Sequence, residues 1–277
     1  MGDIPIPLGE RGRDAAMVAK RPRLRWLARA GFVARGVVYA IIGVLAVKLA
    51  AGSGGKTTNQ QGALRTIARE PFGKALLIAV AVGLAGYAAW RLSRAVTGHG
   101  RTERDSGLER VAAAASGLVY VALCVTAVKI LSGGSGGGGS GAPKKATAGV
   151  LGWSGGSLIV GGVALVLIGV GAYQGYKGVA KKFVEEADTA QMSPEVKHAY
   201  TAVGVFGHLA RMVVFGLTGV GLLTAAIEYE PRKAIGLDGA LSELASAAYG
   251  PILLGVVAAG LIGFAVYSIV DARYHNI

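Results

Sequence analysis

Four cations in this sequence stand where a charge is costly. Arg35, Lys48, Lys129 and Arg211 fall inside long apolar runs, and His208 lies one turn before Arg211 on the same helical face. A charged side chain at the bilayer centre costs at least about 2.5–3.5 kcal/mol on insertion scales, so each cation must either reach the headgroups or hold an anion. Arg35 and Arg211 come about a turn inside one end of their runs, and Lys48 and Lys129 lie within a turn of the other end. Side chains of this length can snorkel from those depths. The 16 carboxylates all read as loop, tail or helix-end residues, Asp271 among them, so no acid inside a span is available to pair with the cations. If packing turns the cations inward, the expected counter-charge is a helix-end carbonyl, an anionic lipid or a transported anion. Arg35, Lys48, Lys129, Arg211 and His208 are therefore the candidate anion- or lipid-contacting residues.

Other chemistries find little to work with. A proton-coupled carrier keeps ionisable groups inside the membrane, and only His208 qualifies; it reads as an interfacial histidine with its hydrogen bonds met. A haem held by two histidines needs a second buried imidazole, while His99, His198 and His275 read as loop or tail residues. The single cysteine, Cys124, allows neither an internal disulfide nor a zinc cluster. No Ser, Cys or Asp pairs with a histidine in a way that suggests a nucleophilic triad. Glu228, Glu230 and Asp238 lack an ordered cation-ligand spacing. The Gly/Ser-rich tract 132–142 lacks the strand and the Gly-Lys-Ser/Thr that a phosphate-cradling loop requires, and reads as a flexible linker. The expectation is no catalytic residue, no cofactor and no metal.

What must position the candidate residues is a set of membrane helices. Of the 277 residues 52% are hydrophobic and 16% charged, where about 25% charged is usual, and mean hydropathy is +0.50. Six runs reach the roughly 20 residues needed to cross about 30 Å of hydrocarbon: 32–49, 75–92, 111–131, 157–176, 203–227 and 251–270. The first follows a basic tail and is too long for a signal-peptide core, so it is expected to remain. Lys and Arg outnumber Asp and Glu by 29 to 16. Outside the spans, seventeen of these cations fall on the side of the N-terminal tail and eight on the other, which places both termini in the cytoplasm by the positive-inside rule.

The spans repeat. Shifts of 81 and then 95 residues carry Arg35, Gly36 and Tyr39 onto Ser116, Gly117 and Tyr120, and then onto Arg211, Met212 and Phe215. Gly62-Ala63-Leu64 followed by Phe72-Gly73 returns as Gly239-Ala240-Leu241 followed by Tyr249-Gly250, whereas the middle copy reads as having lost this stretch to Gly and Ser. In the second helices Gly83, Gly86, Tyr87 and Trp90 match Gly260, Gly263, Phe264 and Tyr267, with Gly169, Tyr173 and Tyr176 as weaker counterparts. Three hairpins inserted the same way suggest pseudo-threefold packing. Ala34-Arg35-Gly36-Val37-Val38-Tyr39, Gln61-Gly62-Ala63-Leu64 and Gly83-Leu84-Ala85-Gly86-Tyr87-Ala88-Ala89-Trp90-Arg91 resemble the family known as domain of unknown function 1206, a bacterial two-helix membrane module. The resemblance implies tandem repeats and bacterial inner-membrane placement, and lends no catalytic residue.

The expected organisation is a basic cytoplasmic tail at 1–27 and repeats at 28–98, 108–182 and 200–273, all-α, with six transmembrane helices. Small-residue spacings such as Gly162, Gly169 and Gly171 in the fourth span, and Gly255, Gly260 and Gly263 in the sixth, suit close helix packing or self-association. Short amphipathic segments, with Leu64, Ile67 and Ala68 on one side and Ala240, Leu241 and Leu244 in the third copy, are expected along the outer interface. The tail residues Lys20, Arg21, Arg23, Arg25 and Arg29 suit anionic headgroups, and with Trp26 as the tail's only stacking group nucleic acid is no expected partner. The functional expectation is a non-catalytic lipid- or partner-binding membrane protein; the alternative is a channel or carrier for a small anionic solute. A carrier needs polar positions midway between the two layers of cations, and from Arg35 to Lys48 the chain offers only Tyr39. The orientation is testable with C-terminal fusions in intact bacteria: a fluorescent protein should fluoresce and an alkaline phosphatase should stay inactive, and the reverse pattern would overturn it.

Overall fold

Hydrocarbon satisfies no backbone polar group, so apolar runs of this length must close their hydrogen bonds internally as helices. The computed structural model describes residues 22–97, 107–134 and 141–275. Among these, the α-helices are α1 (Pro22–Ala50), α2 (Gln60–Arg69), α3 (Gly73–Thr97), α4 (Gly107–Leu131), α5 (Ala142–Leu151), α6 (Gly156–Val179), α7 (Pro194–Ile227), α8 (Leu237–Ser246) and α9 (Gly250–Tyr274). Six of them, α1, α3, α4, α6, α7 and α9, are long and apolar enough to cross a membrane. The fold is all-helical and multi-pass, in three two-span repeats. Nearly all of the basic tail and most of the Gly/Ser tract lie outside the described residues.

The fifth span is longer than its apolar run. Ser193 accepts the Val196 N–H at 3.4 Å and Pro194 stands in the first turn, so the helix starts at Pro194 rather than near 203. Its 34 residues would extend about 51 Å, well beyond a 30 Å hydrocarbon core. The segment between α6 and α7 folds back beneath the bundle, where Asp188 N–H donates to the Tyr274 carbonyl at 2.7 Å and Phe183 is fully buried.

Helix neighbours run in the order α4, α3, α1, α9, α7, α6. This is the order that three hairpins on a pseudo-threefold axis require, with five sides of the ring packed. The sixth side is open: no comparable packing joins α4 to α6, the two helices of the middle repeat, among the described residues. The row of helices is nevertheless curved, because the Arg211 guanidinium of α7 reaches to 5.7 Å from the Tyr39 ring of α1. Glycines allow the close seams. A Cβ at Gly36 or Gly43 would press on Ile269 or Ile262 between α1 and α9, and one at Gly260 would meet Ala210 between α9 and α7. Gly171 touches Gly216 across α6 and α7, whereas Gly162 and Gly169 face open space and take no part in this packing.

The middle repeat keeps an element that its sequence appeared to lose. All three repeats carry a short helix before the second span: α2, α5 and α8. Each joins the next span through a residue at positive φ followed by glycine: Phe72-Gly73, Gly155-Gly156 and Tyr249-Gly250. A Cβ on Gly73, Gly156 or Gly250 would strike the carbonyl oxygen of Ile67, Val150 or Ala245 respectively. The difference lies in docking. α2 rests on both α1 and α3, and α8 on both α7 and α9, burying Ala63, Leu64 and Ile67 in one case and Leu237, Ala240 and Leu241 in the other. α5 rests on α6 and on the 3-10 turn Pro231–Lys233, and does not bridge to α4. The Gly250→Ala or Gly73→Ala variant should lose about 1–3 kcal/mol in detergent unfolding, the usual cost of overpacking. Gly149→Ala, inside α5 with nothing within 4 Å, should be neutral or slightly stabilising.

Candidate functional site

Arg35 does not snorkel; it is buried at 6% exposure where α1, α3 and α9 meet. Its Nε donates to Ser268 Oγ at 3.1 Å and its Nη1 to Tyr87 Oη at 2.7 Å. Nη2 lies 3.8 Å from Asp271 Oδ2. The guanidinium also faces the rings of Phe32, Tyr87 and Phe264 at 4.9–5.2 Å. This corrects the sequence expectation that no acid serves the intramembrane cations. Asp271 reads as a helix-end residue because polar residues follow it, yet α9 continues to Tyr274 and turns the carboxylate, 1% exposed, into the bundle.

Asp271 is tied on its other oxygen too. Tyr200 Oη donates to Oδ1 at 3.0 Å, and His275 Nδ1 lies 3.1 Å from the same atom. His275 in turn packs against Phe32 and Trp90, with ring centroids at 4.7 and 5.5 Å. One polar clasp thereby holds α1, α3, α7 and α9 together at the end where the chain enters α1 and leaves α9. Tyr87, Tyr200, Ser268 and His275 had no part in the sequence reading of this site. The only signal for them was the aromatic repeat Tyr87/Phe264.

Arg211 occupies the equivalent place in the third repeat, half-buried, with different partners. With the Gln174 amide oriented by its hydrogen bonds, Arg211 Nη1 and Nη2 donate to its oxygen at 2.9 and 2.8 Å, and its NH2 donates to His208 Nδ1 at 2.9 Å. The guanidinium lies 4.4 Å over the Phe264 ring and 5.2 Å from Phe215. No carboxylate pairs with it among the described residues. His208 is 3% exposed and enclosed by Phe183, Phe264 and Tyr267. Its Nε2 has no hydrogen-bond partner, so the histidine is not the satisfied interfacial residue the sequence suggested.

The repeat register explains the contrast. Matching Tyr267 with Tyr176 and Trp90 places Lys177 and Ala180, and Arg91 and Arg94, at the positions of Ser268 and Asp271. The helix beside Arg35 therefore supplies an acid, while the one beside Arg211 supplies a lysine and an alanine. Lys177 is itself engaged, its Nζ holding both Glu186 oxygens at 2.7 Å. Burial pushes the Glu186 carboxyl up, but the Lys177 ammonium overrides it and holds the group below the usual carboxylate range. Lys48 and Lys129 are exposed near the far ends of α1 and α4, and the structure does not bring them to Arg35, Arg211 or His208.

Comparison with known proteins agrees with the repeats. The family model described as Domain of Unknown Function (DUF1206) matches residues 30–98, 111–181 and 206–275. A Bacillus subtilis (strain 168) protein named "Uncharacterized protein YxxB" is 33% identical over 259 residues, spanning 92% of this chain and 93% of the relative. No solved structure matches.

Removing one member of a buried ion pair leaves the other uncompensated, typically at a cost of about 3–5 kcal/mol. Asp271→Asn should destabilise the protein by that order in mixed-micelle unfolding. Adding Arg35→Gln to Asp271→Asn should recover part of the loss, and additive losses would show that the two charges do not interact.

Proposed function

The chain belongs to the DUF1206 family, which carries no assigned activity, and from its own geometry we propose that it is a non-catalytic membrane protein that holds an anionic group at Arg211. The observation that carries this reading is the unequal treatment of two equivalent arginines. Arg35 has an acid, a hydroxyl and a phenol around it; Arg211 has a neutral amide and aromatic faces, and no carboxylate among the described residues. Aromatic faces and an amide oxygen do not cancel a full charge in hydrocarbon, so an anion at Arg211 completes the site. Of its neighbours, Lys177 is already held by Glu186, and His208 is left with its Nε2 unpartnered.

The setting fits such a role. The protein sits in the bacterial inner membrane with both termini cytoplasmic, which puts the Arg211 end beside the leaflet whose anionic headgroups attract basic segments. Its partners are membrane lipids, with a membrane protein or a second copy as further candidates, and it performs no catalysis. For a small anion in transit the two arginines offer only Arg211, because Arg35 is closed by Asp271.

Gentle purification followed by mass spectrometry of everything retained tests the reading. The wild-type protein should carry an anionic species that Arg211→Gln loses by about tenfold, the scale of a hydrogen bond to a charged group. Equal retention by both proteins would overturn it, as would a clean wild-type protein that moves anions in liposome flux assays.

A further inference from the structure

The middle repeat leaves a gap in the ring of helices, and Arg211 lies on the concave side of that ring. Among the described residues no packing comparable to the other five sides joins α4 to α6, and α5 does not bridge them. Both helices are mostly uncovered: 22% of the apolar span is buried in each, against 28% in α7 and 50–56% in α1, α3 and α9. From α6 at one edge of the gap, Gln174 reaches the Arg211 guanidinium. From α4 at the other edge, the half-buried Tyr120 packs edge-on against Tyr87 at 4.4 Å. Tyr39 closes the floor, 5.7 Å from Arg211.

Resting on the anion-holding role proposed for Arg211, we infer that the ligand is an anionic phospholipid: its phosphate meets Arg211, and an acyl chain lies in the seam between α4 and α6. Two features select a lipid over a free anion. The large exposed side chains of α4 between 118 and 128, Leu118, Val119, Val121, Val125 and Val128, are all apolar, a surface that suits an acyl chain rather than a hydrated ion. The phosphate site also stands nearer one end of the spans than the other, because Arg211 aligns with Arg35, about two turns into the Ala28–Ala50 span, so a headgroup drawn in from that leaflet has the shorter path. A headgroup at that depth brings its own chain into the seam, whereas a free phosphate would leave the seam unfilled and cross hydrocarbon unaccompanied.

Protein reconstituted in nanodiscs and labelled with phosphatidylglycerol carrying a diazirine in its acyl chain tests this directly. Cross-links should concentrate on α4 and α6, and should fall about tenfold on those helices in Arg211→Gln while labels on the outward faces of α3 and α9 stay constant. Gln174→Leu, which removes the amide and keeps the arginine, should give a smaller loss and guards against an Arg211→Gln variant that fails to fold. In detergent, thermal stability should rise with phosphatidylglycerol, and not with phosphatidylcholine or inorganic phosphate at matched concentration. Inorganic phosphate stabilising as strongly as phosphatidylglycerol, with cross-links spread over all faces, would overturn the lipid assignment and leave the anion site standing. An Arg211→Gln protein equal to wild type in every arm would overturn both. Native mass spectrometry showing a dimer in which α4 and α6 escape labelling by the lipid would replace the lipid with a dimer contact.

Discussion

A guanidinium held inside apolar helices must be answered by negative charge, and the Arg35–Asp271 pair is the point on which the arrangement of helices depends. The two residues lie in the first and last spans, so their contact ties the beginning of the bundle to its end. Tyr87 on Arg35, and Tyr200 and His275 on Asp271, extend that tie to the helices on either side. Glycine seams bring the backbones close enough for such short side-chain reaches, since a Cβ at Gly36 would press on Ile269, one turn before Arg273 and beside Ser268. In a bilayer, where apolar contact alone gives helices no preference for one another over lipid, close packing and buried polar bonds are what set neighbours.

The three repeats show how one geometry acquires unequal chemistry. Each first helix lies beside the second helix of the preceding repeat, so each repeat offers a place for a cation and a place opposite for its partner. Arg35 meets Asp271 there, Arg211 meets the register of Ala180, and Ser116 meets that of Arg94. One site is closed by an internal ion pair, one has reversed the roles of the two helices, and one is left positive.

Much of this was legible in the sequence, and what was not has a physical reason. Length and hydropathy are properties of a run, so the six spans were visible, and gap-free shifts exposed the repeat. Asp271 was hidden because its meaning depends on where α9 stops, and a helix end is set by packing and capping rather than by composition. The short helix α5 was hidden because Gly and Ser surround it while only Gly156 and the positive φ of Gly155 repeat the backbone geometry of its counterparts. Whether Arg35 and Arg211 faced lipid or a neighbour could not be read along the chain, since that depends on the rotation of each helix.

The open seam follows from the same local detail. In the outer repeats a loop helix rests on both spans of its own hairpin and fixes their spacing with buried residues such as Leu64 and Leu241. In the middle repeat the Gly/Ser tract 132–142 separates α5 from α4, and α5 settles instead on α6 and the 3-10 turn Pro231–Lys233. With no wedge to hold them, α4 and α6 each follow their stronger neighbours, α3 and α7, and part from one another. The seam between α4 and α6 borders the concave side where Arg211 lies, so the Gly/Ser tract at one end and the register of Ala180 at the other bear on the same face of the bundle.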